Sequence, residues 1–103
     1  MQKIGVIDIG TNSMRMLVSQ VQDGRILNSY KLIQTTRIGE GINQGKIPPQ
    51  VIDKNIDYLR LFKESALDDG VEDIIVFGTS ALRDAKNSGG FIQRVNRELN
   101  LSI

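Results

Sequence analysis

An apolar run, a small polar loop and a second strand-like run follow one another over residues 4–18, and no other part of the chain constrains the fold as strongly. The first run is rich in β-branched residues, which a buried strand favours; they are Ile4, Val6, Ile7 and Ile9. Gly10 then permits a sharp backbone turn at little steric cost. The sequence therefore predicts two strands joined by a tight polar loop, with Asp8 close to the end of the first strand.

The loop residues suit an anion. Thr11, Asn12 and Ser13 offer hydroxyl and amide hydrogens beside successive backbone N–H groups, which form a concavity of the kind that holds phosphate. The carboxylate of Asp8 repels a bare phosphate, so a role there requires a divalent cation or an oriented water. The alternative is an ordinary turn, in which Asp8 and Asn12 tie the loop by local hydrogen bonds.

Composition narrows the class of protein without naming a reaction. The 103 residues are 40% hydrophobic and 24% charged, which is typical of one globular domain. A net charge of +1 gives no general attraction to nucleic acid or an anionic membrane, so neither is expected as a partner. The absence of Cys and His leaves carboxylates, Lys, Tyr or metal-bound water for acid–base chemistry. No apolar segment approaches the roughly 18 residues of a membrane span or resembles a signal peptide, so we expect a cytoplasmic protein.

Two further strands and a long helix follow. The second strand is predicted over residues 14–21, Asp23 and Gly24 form a hairpin turn, and a third strand runs from Arg25 towards Thr36. Residues 37–49 are predicted as a loop. A helix begins at the Pro48–Pro49 pair and ends near Gly70; its apolar face consists of Ile52, Ile56, Leu59, Phe62 and Ala66. Residues 74–77 are predicted to form a short buried strand, parallel to the first if the helix is a crossover.

A second candidate anion site follows this strand. Thr79 or Ser80 can cap a helix whose free N–H groups hold an anion, and Arg83 lies one turn further on, where its guanidinium can bind phosphate oxygens. The alternative is a capped helix on which Arg83 and Asp84 form a solvent-exposed pair.

The chain is then interrupted at residues 87–90. The helix face that follows is predicted to be core and consists of Phe91, Ile92, Val95 and Leu99. Residues 101–103 are predicted to open another strand.

Three blocks of sequence resemble one family. Residues 6–15, residues 37–42 with Gly45, and residues 78–85 together are similar to the exopolyphosphatase and guanosine pentaphosphate phosphohydrolase (Ppx/GppA phosphatase) family of the actin-like, sugar-kinase and Hsp70-like ATPase superfamily. The resemblance covers nearly the whole chain. It implies an α/β fold of the ribonuclease H-like kind, with a mixed sheet and elements in the order βββαβαα(β). Residues 1–103 would be most of the N-terminal lobe of a two-lobed phosphatase.

The resemblance also implies a function. It indicates a homodimeric enzyme that removes terminal phosphates from polyphosphate or guanosine pentaphosphate with Mg²⁺. Asp8 would hold the metal, and Arg37 and Gly39 would lie beside the cleft between the two lobes. The residues that would contact phosphate are Gly10, Thr11, Asn12, Ser13, Arg15, Thr79, Ser80 and Arg83.

The family's catalytic Glu belongs to a motif that would follow Ile103, so the resemblance implies that these residues alone are inactive. Glu40 is the other carboxylate on the cleft side, and we expect it to be a solvated loop residue and not the base.

Three alternatives remain open at the level of sequence. A sugar-kinase or Hsp70-like ATPase lobe shares the Asp8 loop, although the residues around Arg83 argue against it. A non-catalytic module that binds phosphate or an alarmone is the second. A Rossmann-type nucleotide binder is the weakest, because a glycine-rich fingerprint after the first strand is absent.

Overall fold

The first three strands form an antiparallel meander. A computed structural model describes residues 2–42, 44–78 and 80–103. In it β1 (Gln2–Ile9) pairs with β2 (Ser13–Gln22), and β2 pairs with β3 (Arg25–Thr35). The turn between β2 and β3 has Asp23 at φ 52° and Gly24 at φ 74°. Two successive left-handed residues give the turn whose twist matches a hairpin, as the sequence predicts.

The fourth strand lies beside the first. β4 (Asp73–Gly78) pairs in parallel with β1, which gives the sheet order β3-β2-β1-β4. The register places Asp8 opposite Phe77 and Ile9 opposite Gly78. The segments that follow β1 and β4 therefore leave the sheet at the same edge. The predicted crossover and parallel pairing are confirmed.

Four helices complete the described structure: α1 (Ile38–Gly41), α2 (Pro49–Asp68), α3 (Ser80–Asp84) and α4 (Ser88–Leu99). α2 begins at the predicted proline and stops just before Gly70, whose φ of 81° is a left-handed conformation that favours glycine.

Three predictions about local structure are wrong. Residues 37–49 are not all loop, because buried Ile38 anchors the single turn of α1. The interruption at residues 87–90 is shorter than predicted, since α4 already begins at Ser88 and includes Gly89 and Gly90. Residues 101–103 belong to no strand, and Leu101 instead packs into the core.

The core lies on one face of the sheet, under α2 and α4. Strand residues that alternate along β1 and β2 are fully buried there, and α2 contributes most of its predicted face. Of the predicted apolar positions, Ile52 on α2 and Ile92 on α4 are only half-buried. On β1, Ile4 and Val6 point to the opposite face of the sheet and are half-buried too. On β4, Ile75 and Phe77 lie on that same face and are exposed. The second face therefore differs from the buried strand environment that the sequence predicts for β1 and β4.

No helix within residues 2–42, 44–78 and 80–103 combines the length and the hydropathy that a membrane crossing needs.

Candidate phosphate-binding site

The loop between β1 and β2 closes on itself. The N–H of Gly10 donates to the carbonyl oxygen of Ser13 over 2.9 Å. A Cβ at position 10 would lie 2.8 Å from that same oxygen, closer than real Cβ atoms come. Glycine is therefore required because the chain approaches itself here, and the loop is a tight turn of fixed shape.

A cleft of ≈ 290 Å³ opens above this turn, and we call it the Asp8 cleft. Its lining consists of Asp8, Gly10, Thr11, Asn12, Ser13 and Arg15. These are all the residues of the first predicted phosphate segment, so the structure brings that set together.

Two features of the Asp8 cleft indicate a ligand. The Oδ1 atom of Asp8 is buried and has no hydrogen-bond partner. Within the described residues, the backbone N–H groups of Thr11 and Asn12 also find no protein acceptor. An unpaired buried oxygen is costly unless something else satisfies it. Arg15 lies directly opposite Asp8 in the strand register and is exposed, so its charge is available at the same rim.

Arg37 and Gly39 are behind the Asp8 loop and do not line its cleft. The N–H groups of Thr36 and Arg37 both donate to the carbonyl oxygen of Asn12 over 3.0 Å, and the N–H of Gly39 donates to Thr11 over 3.0 Å. Arg37 is held at φ 54°, a left-handed conformation, as it enters α1. The backbone of this motif therefore holds the loop by hydrogen bonds, and its predicted place beside the cleft between two lobes stays a prediction.

The second predicted segment begins at the end of β4. Gly78 is followed by α3, in which Leu82 is buried and Arg83 is exposed. A Cβ on Gly78 would lie 2.5 Å from the Leu82 side chain, which explains the glycine. Thr79 and the side chain of Ser80 lie outside the described residues, so their predicted capping role stays a prediction.

Arg83 borders a second cleft of ≈ 420 Å³, which we call the Arg83 cleft. Its lining is largely apolar and consists of Phe77, Gly78, Leu82, Arg83, Ser88, Ile92 and Ile103. Among the described residues, Arg83 forms no ion pair with Asp84. The solvent-exposed pair that was the alternative reading is therefore absent, and the guanidinium of Arg83 keeps its hydrogen-bond donors for another partner.

One polar contact near the second segment could not be predicted from the sequence. The side-chain amide of Asn87 forms two hydrogen bonds with the backbone of Ile47, each 2.9 Å long. Asn before a Ser-Gly-Gly run is an ordinary helix-entry pattern, so no local signal could reveal a partner forty positions earlier.

The described residues hold no group of three or more acidic side chains placed to bind a metal ion. Asp8 is the acidic residue among those that line the Asp8 cleft. The side chain of Glu40 lies outside the part of the chain that the structure describes. A cation at Asp8 would have to complete its shell with water and ligand oxygens, which is how Mg²⁺ is commonly held.

Comparison with known proteins gives a consistent result. The family model for the Ppx/GppA phosphatase family matches residues 17–103. Exopolyphosphatase 1 of Mycobacterium tuberculosis is 32% identical over 98% of the chain and 30% of its own length. The guanosine-5'-triphosphate,3'-diphosphate pyrophosphatase of Vibrio cholerae is 34% identical over 90% of the chain and 19% of its own length. The chain thus spans less than a third of these two relatives.

Solved structures show the same fold. The Ppx/GppA phosphatase of Aquifex aeolicus is 29% identical with a TM-score of 0.89, over 98% of this chain and 34% of that one. An exopolyphosphatase from Cytophaga hutchinsonii is 32% identical with a TM-score of 0.85, over 98% and 33%. The mixed sheet with its helices is the fold that the sequence resemblance implies. Because the family model covers far more than half of the residues, this chain belongs to the Ppx/GppA phosphatase family.

Proposed function

We propose that the whole protein is a Mg²⁺-dependent phosphoanhydride hydrolase that removes terminal phosphate from polyphosphate or guanosine pentaphosphate. The names of two relatives support this proposal. One is an exopolyphosphatase, and the other is a guanosine-5'-triphosphate,3'-diphosphate pyrophosphatase. The present residues would supply most of the N-terminal lobe. The carboxylate that activates water would come from other residues of the protein, so residues 1–103 alone are expected to be inactive.

One observation carries the proposal: Asp8 lines the cleft built from the turn at residues 10–13, and its Oδ1 atom is buried without a hydrogen-bond partner. A phosphate placed directly against that carboxylate would be repelled by about 4 kcal/mol at about 4 Å and an effective dielectric near 20. A divalent cation held by Asp8 would supply positive charge that offsets this repulsion. The donor set of one carboxylate plus phosphate oxygens and waters suits Mg²⁺.

The residues of this chain act by positioning and by charge. The free N–H groups of Thr11 and Asn12 would donate to phosphate oxygens, and Arg15 and Arg83 would neutralise charge that accumulates as the terminal phosphorus–oxygen bond breaks. Water attacks the terminal phosphorus, and the bridging oxygen leaves with the shortened chain. When bound, Mg²⁺ supplies Lewis-acid stabilisation of these oxygens. No His or Cys is required for such a reaction.

We also propose that the enzyme is a cytoplasmic homodimer that acts on neither nucleic acid nor membranes. The net charge of +1 agrees with the absence of a general polyanion surface. Thr79 and Ser80 complete the proposed phosphate contacts.

The experiment that tests the proposal is a Mg²⁺ titration of the whole enzyme and its Asp8→Asn variant, with polyphosphate and with guanosine pentaphosphate as substrates. Asn keeps the size and one acceptor oxygen but loses the charge. We expect the variant to need roughly tenfold more Mg²⁺ for half-maximal phosphate release, because it retains only a neutral ligand.

Asp68→Asn is the matched control, since Asp68 is an exposed carboxylate at the end of α2. It should leave the titration curve unchanged. An Asp8→Asn enzyme with full activity and the wild-type Mg²⁺ curve would eliminate the metal role, and a wild-type enzyme without phosphate release from either substrate would refute the function itself.

A further inference from the structure

The turn between α3 and α4 is attached to a segment far away in sequence. Asn87 occupies the position before α4, but its side chain does not cap that helix. Its Oδ1 accepts from the N–H of Ile47 over 2.9 Å, and its Nδ2 donates to the carbonyl oxygen of Ile47 over 2.9 Å. The amide therefore satisfies both backbone groups of one residue, as a neighbouring strand would.

A third hydrogen bond lies beside this pair. The N–H of Lys86 donates to the carbonyl oxygen of Gly45 over 2.8 Å. Gly45 has a φ of 78°, and a Cβ there would lie 3.2 Å from the Lys86 side chain. Ile47 itself is 2% exposed and belongs to the core. The α3–α4 turn is thus attached to a point that cannot move without disturbing the core.

The same region reaches the Asp8 loop. Residues 45–47 follow α1 after a short connection, and α1 packs against α3. The residues entering α1 are hydrogen bonded to the carbonyls of Thr11 and Asn12. Asn87 is thus hydrogen bonded to the segment that follows α1 in sequence, and the start of α1 is hydrogen bonded to the Asp8 loop.

The hydrogen bonds of Lys86 and Asn87 restrict the segment that carries Arg83 from its C-terminal side. α3 has only five residues, so its own hydrogen bonds cannot fix its direction. Buried Leu82 and Ala85 anchor one side of the segment, and the Asn87 pair fixes the turn immediately after it. Arg83 is exposed between these anchors.

We propose that Asn87 is a positioning residue, which sets the place of Arg83 relative to the Asp8 loop and touches no substrate itself. This inference rests on the proposed function, because its consequence is the alignment of two phosphate-holding segments. A displacement of about 1 Å at a catalytic group is enough to lower turnover by about a hundredfold.

The test measures kcat and KM of the whole enzyme for polyphosphate, with Asn87→Ala and Asn87→Asp in the wild-type background and with Asn87→Ala combined with Arg83→Ala. We expect Asn87→Ala to lower kcat/KM by about tenfold to a hundredfold. Asn87→Asp keeps an acceptor for the Ile47 N–H but cannot donate to its carbonyl, so its activity should be intermediate.

The double variant separates positioning from general stability. If Asn87 acts through Arg83, adding Asn87→Ala to Arg83→Ala should change kcat/KM by less than about threefold, because neighbouring residues that act as a unit are not additive. Asn96→Ala is the matched control: Asn96 is exposed on the same helix α4.

The possible results are distinct. The positioning role would be overturned if kcat/KM of each single variant of Asn87 stayed within about twofold of wild type. It would also be overturned if Asn87→Ala lowered kcat/KM as much in the Arg83→Ala background as in the wild type. If Asn87→Ala does not fold, Asn87→Asp and its combination with Arg83→Ala decide the question by the same criteria. A wild-type enzyme that releases no phosphate in this assay would refute the proposed function and not the geometry of Asn87.

Discussion

Gly39 shows how one missing side chain shapes the candidate site. Its N–H binds the carbonyl oxygen of Thr11, and a Cβ added to Gly39 would lie 2.3 Å from the Thr11 methyl group. The next nearest atoms, at 3.6 and 3.7 Å, are at ordinary contact distances. The conflict is therefore confined to one methyl group of the Asp8 loop.

We predict that Gly39→Ala lowers stability by about 1–3 kcal/mol, since overpacking forces atoms apart. It should also lower phosphate release by the whole enzyme, because Thr11 lines the Asp8 cleft. Thermal unfolding and steady-state kinetics measure the two effects.

Thr11→Ser provides the rescue, because serine retains the hydroxyl and lacks the colliding methyl. The double variant Gly39→Ala with Thr11→Ser should recover most of the lost stability. Gly90→Ala is the control, since a Cβ on that helical glycine meets nothing within 4 Å; it should be neutral or slightly stabilising. If Gly39→Ala lowered stability equally with and without Thr11→Ser, the collision with the Thr11 methyl group could not be the cause.

At the scale of elements, α2 connects to the rest of the molecule by apolar packing and by surface ion pairs, and these differ in strength. Leu59 is 0% exposed in the core. On the surface, Arg94 of α4 pairs with Asp53 of α2 over 2.6 Å and also with Glu98. The carboxylates raise the pKa of Arg94, Asp53 being the main cause, but the group is solvent-exposed, so screening limits its contribution.

We predict that Leu59→Ala lowers the free energy of unfolding by about 2–5 kcal/mol. Arg94→Gln should have a much smaller effect, because its ion pairs are screened by solvent. Denaturant unfolding of the two variants measures both values. A larger loss from Arg94→Gln than from Leu59→Ala would show that the ion pairs, and not the core, hold α2 to α4. Added salt should reduce the small effect of Arg94→Gln and leave that of Leu59→Ala unchanged.

Elements with strong periodicity could be predicted from the sequence, and those defined by distant contacts could not. The spacing of Ile56, Leu59 and Phe62 predicts α2. The Asp23–Gly24 turn predicts the hairpin of β2 and β3 and the pairing next to the turn, but not the register shift that follows between Gln20 and Val21. The turn of α1 depends on hydrogen bonds to the Asp8 loop and on burial of Ile38, neither of which leaves a local pattern.

In the candidate site, too, features set by local sequence could be predicted and those set by distant contacts could not. The loop around Gly10 and the segment around Arg83 could be identified from local chemistry, and the parallel pairing of β1 and β4 brings both to one edge. The backing role of Gly39 and the contact of Asn87 with Ile47 depend on tertiary structure, so the sequence alone could not provide them.

At the scale of the whole molecule, the candidate site and the main polar contact between strands lie towards opposite ends of the sheet. The Asp8 cleft is at the carboxyl end of β1, whereas Lys3 near its start donates to Asp69 at the end of α2 over 3.1 Å. The hydroxyl of Tyr30 on β3 donates to the other oxygen of Asp69 over 2.6 Å. This group of three residues joins β1, β3 and α2 away from the Asp8 cleft.

These contacts make stability depend on pH in two windows. The hydrogen bond to Asp69 raises the pKa of Tyr30 from 10.0 to about 12, and the same bond, followed by that from Lys3, lowers the pKa of Asp69 from 3.8. A raised tyrosine pKa means that the unfolded chain loses its proton first, so this contribution is lost as the pH rises from 10 to 12. The contribution of Asp69 is present above its usual pKa and is lost as the pH falls below it.

We predict that Tyr30→Phe removes the loss of stability that Tyr30 causes at high pH. Between pH 9 and pH 12 the wild-type melting temperature should fall more steeply than that of Tyr30→Phe, because phenylalanine has no proton to release when the chain unfolds. Tyr58→Phe, which changes the other tyrosine of the chain, is the control and should retain the steeper wild-type slope. Near neutral pH, Tyr30→Phe should leave kcat and KM of the whole enzyme unchanged, since Tyr30 lies away from the Asp8 cleft. Parallel slopes for wild type and Tyr30→Phe would show that the Tyr30–Asp69 bond is not maintained in solution, and a changed KM would show that the two ends of the sheet are coupled.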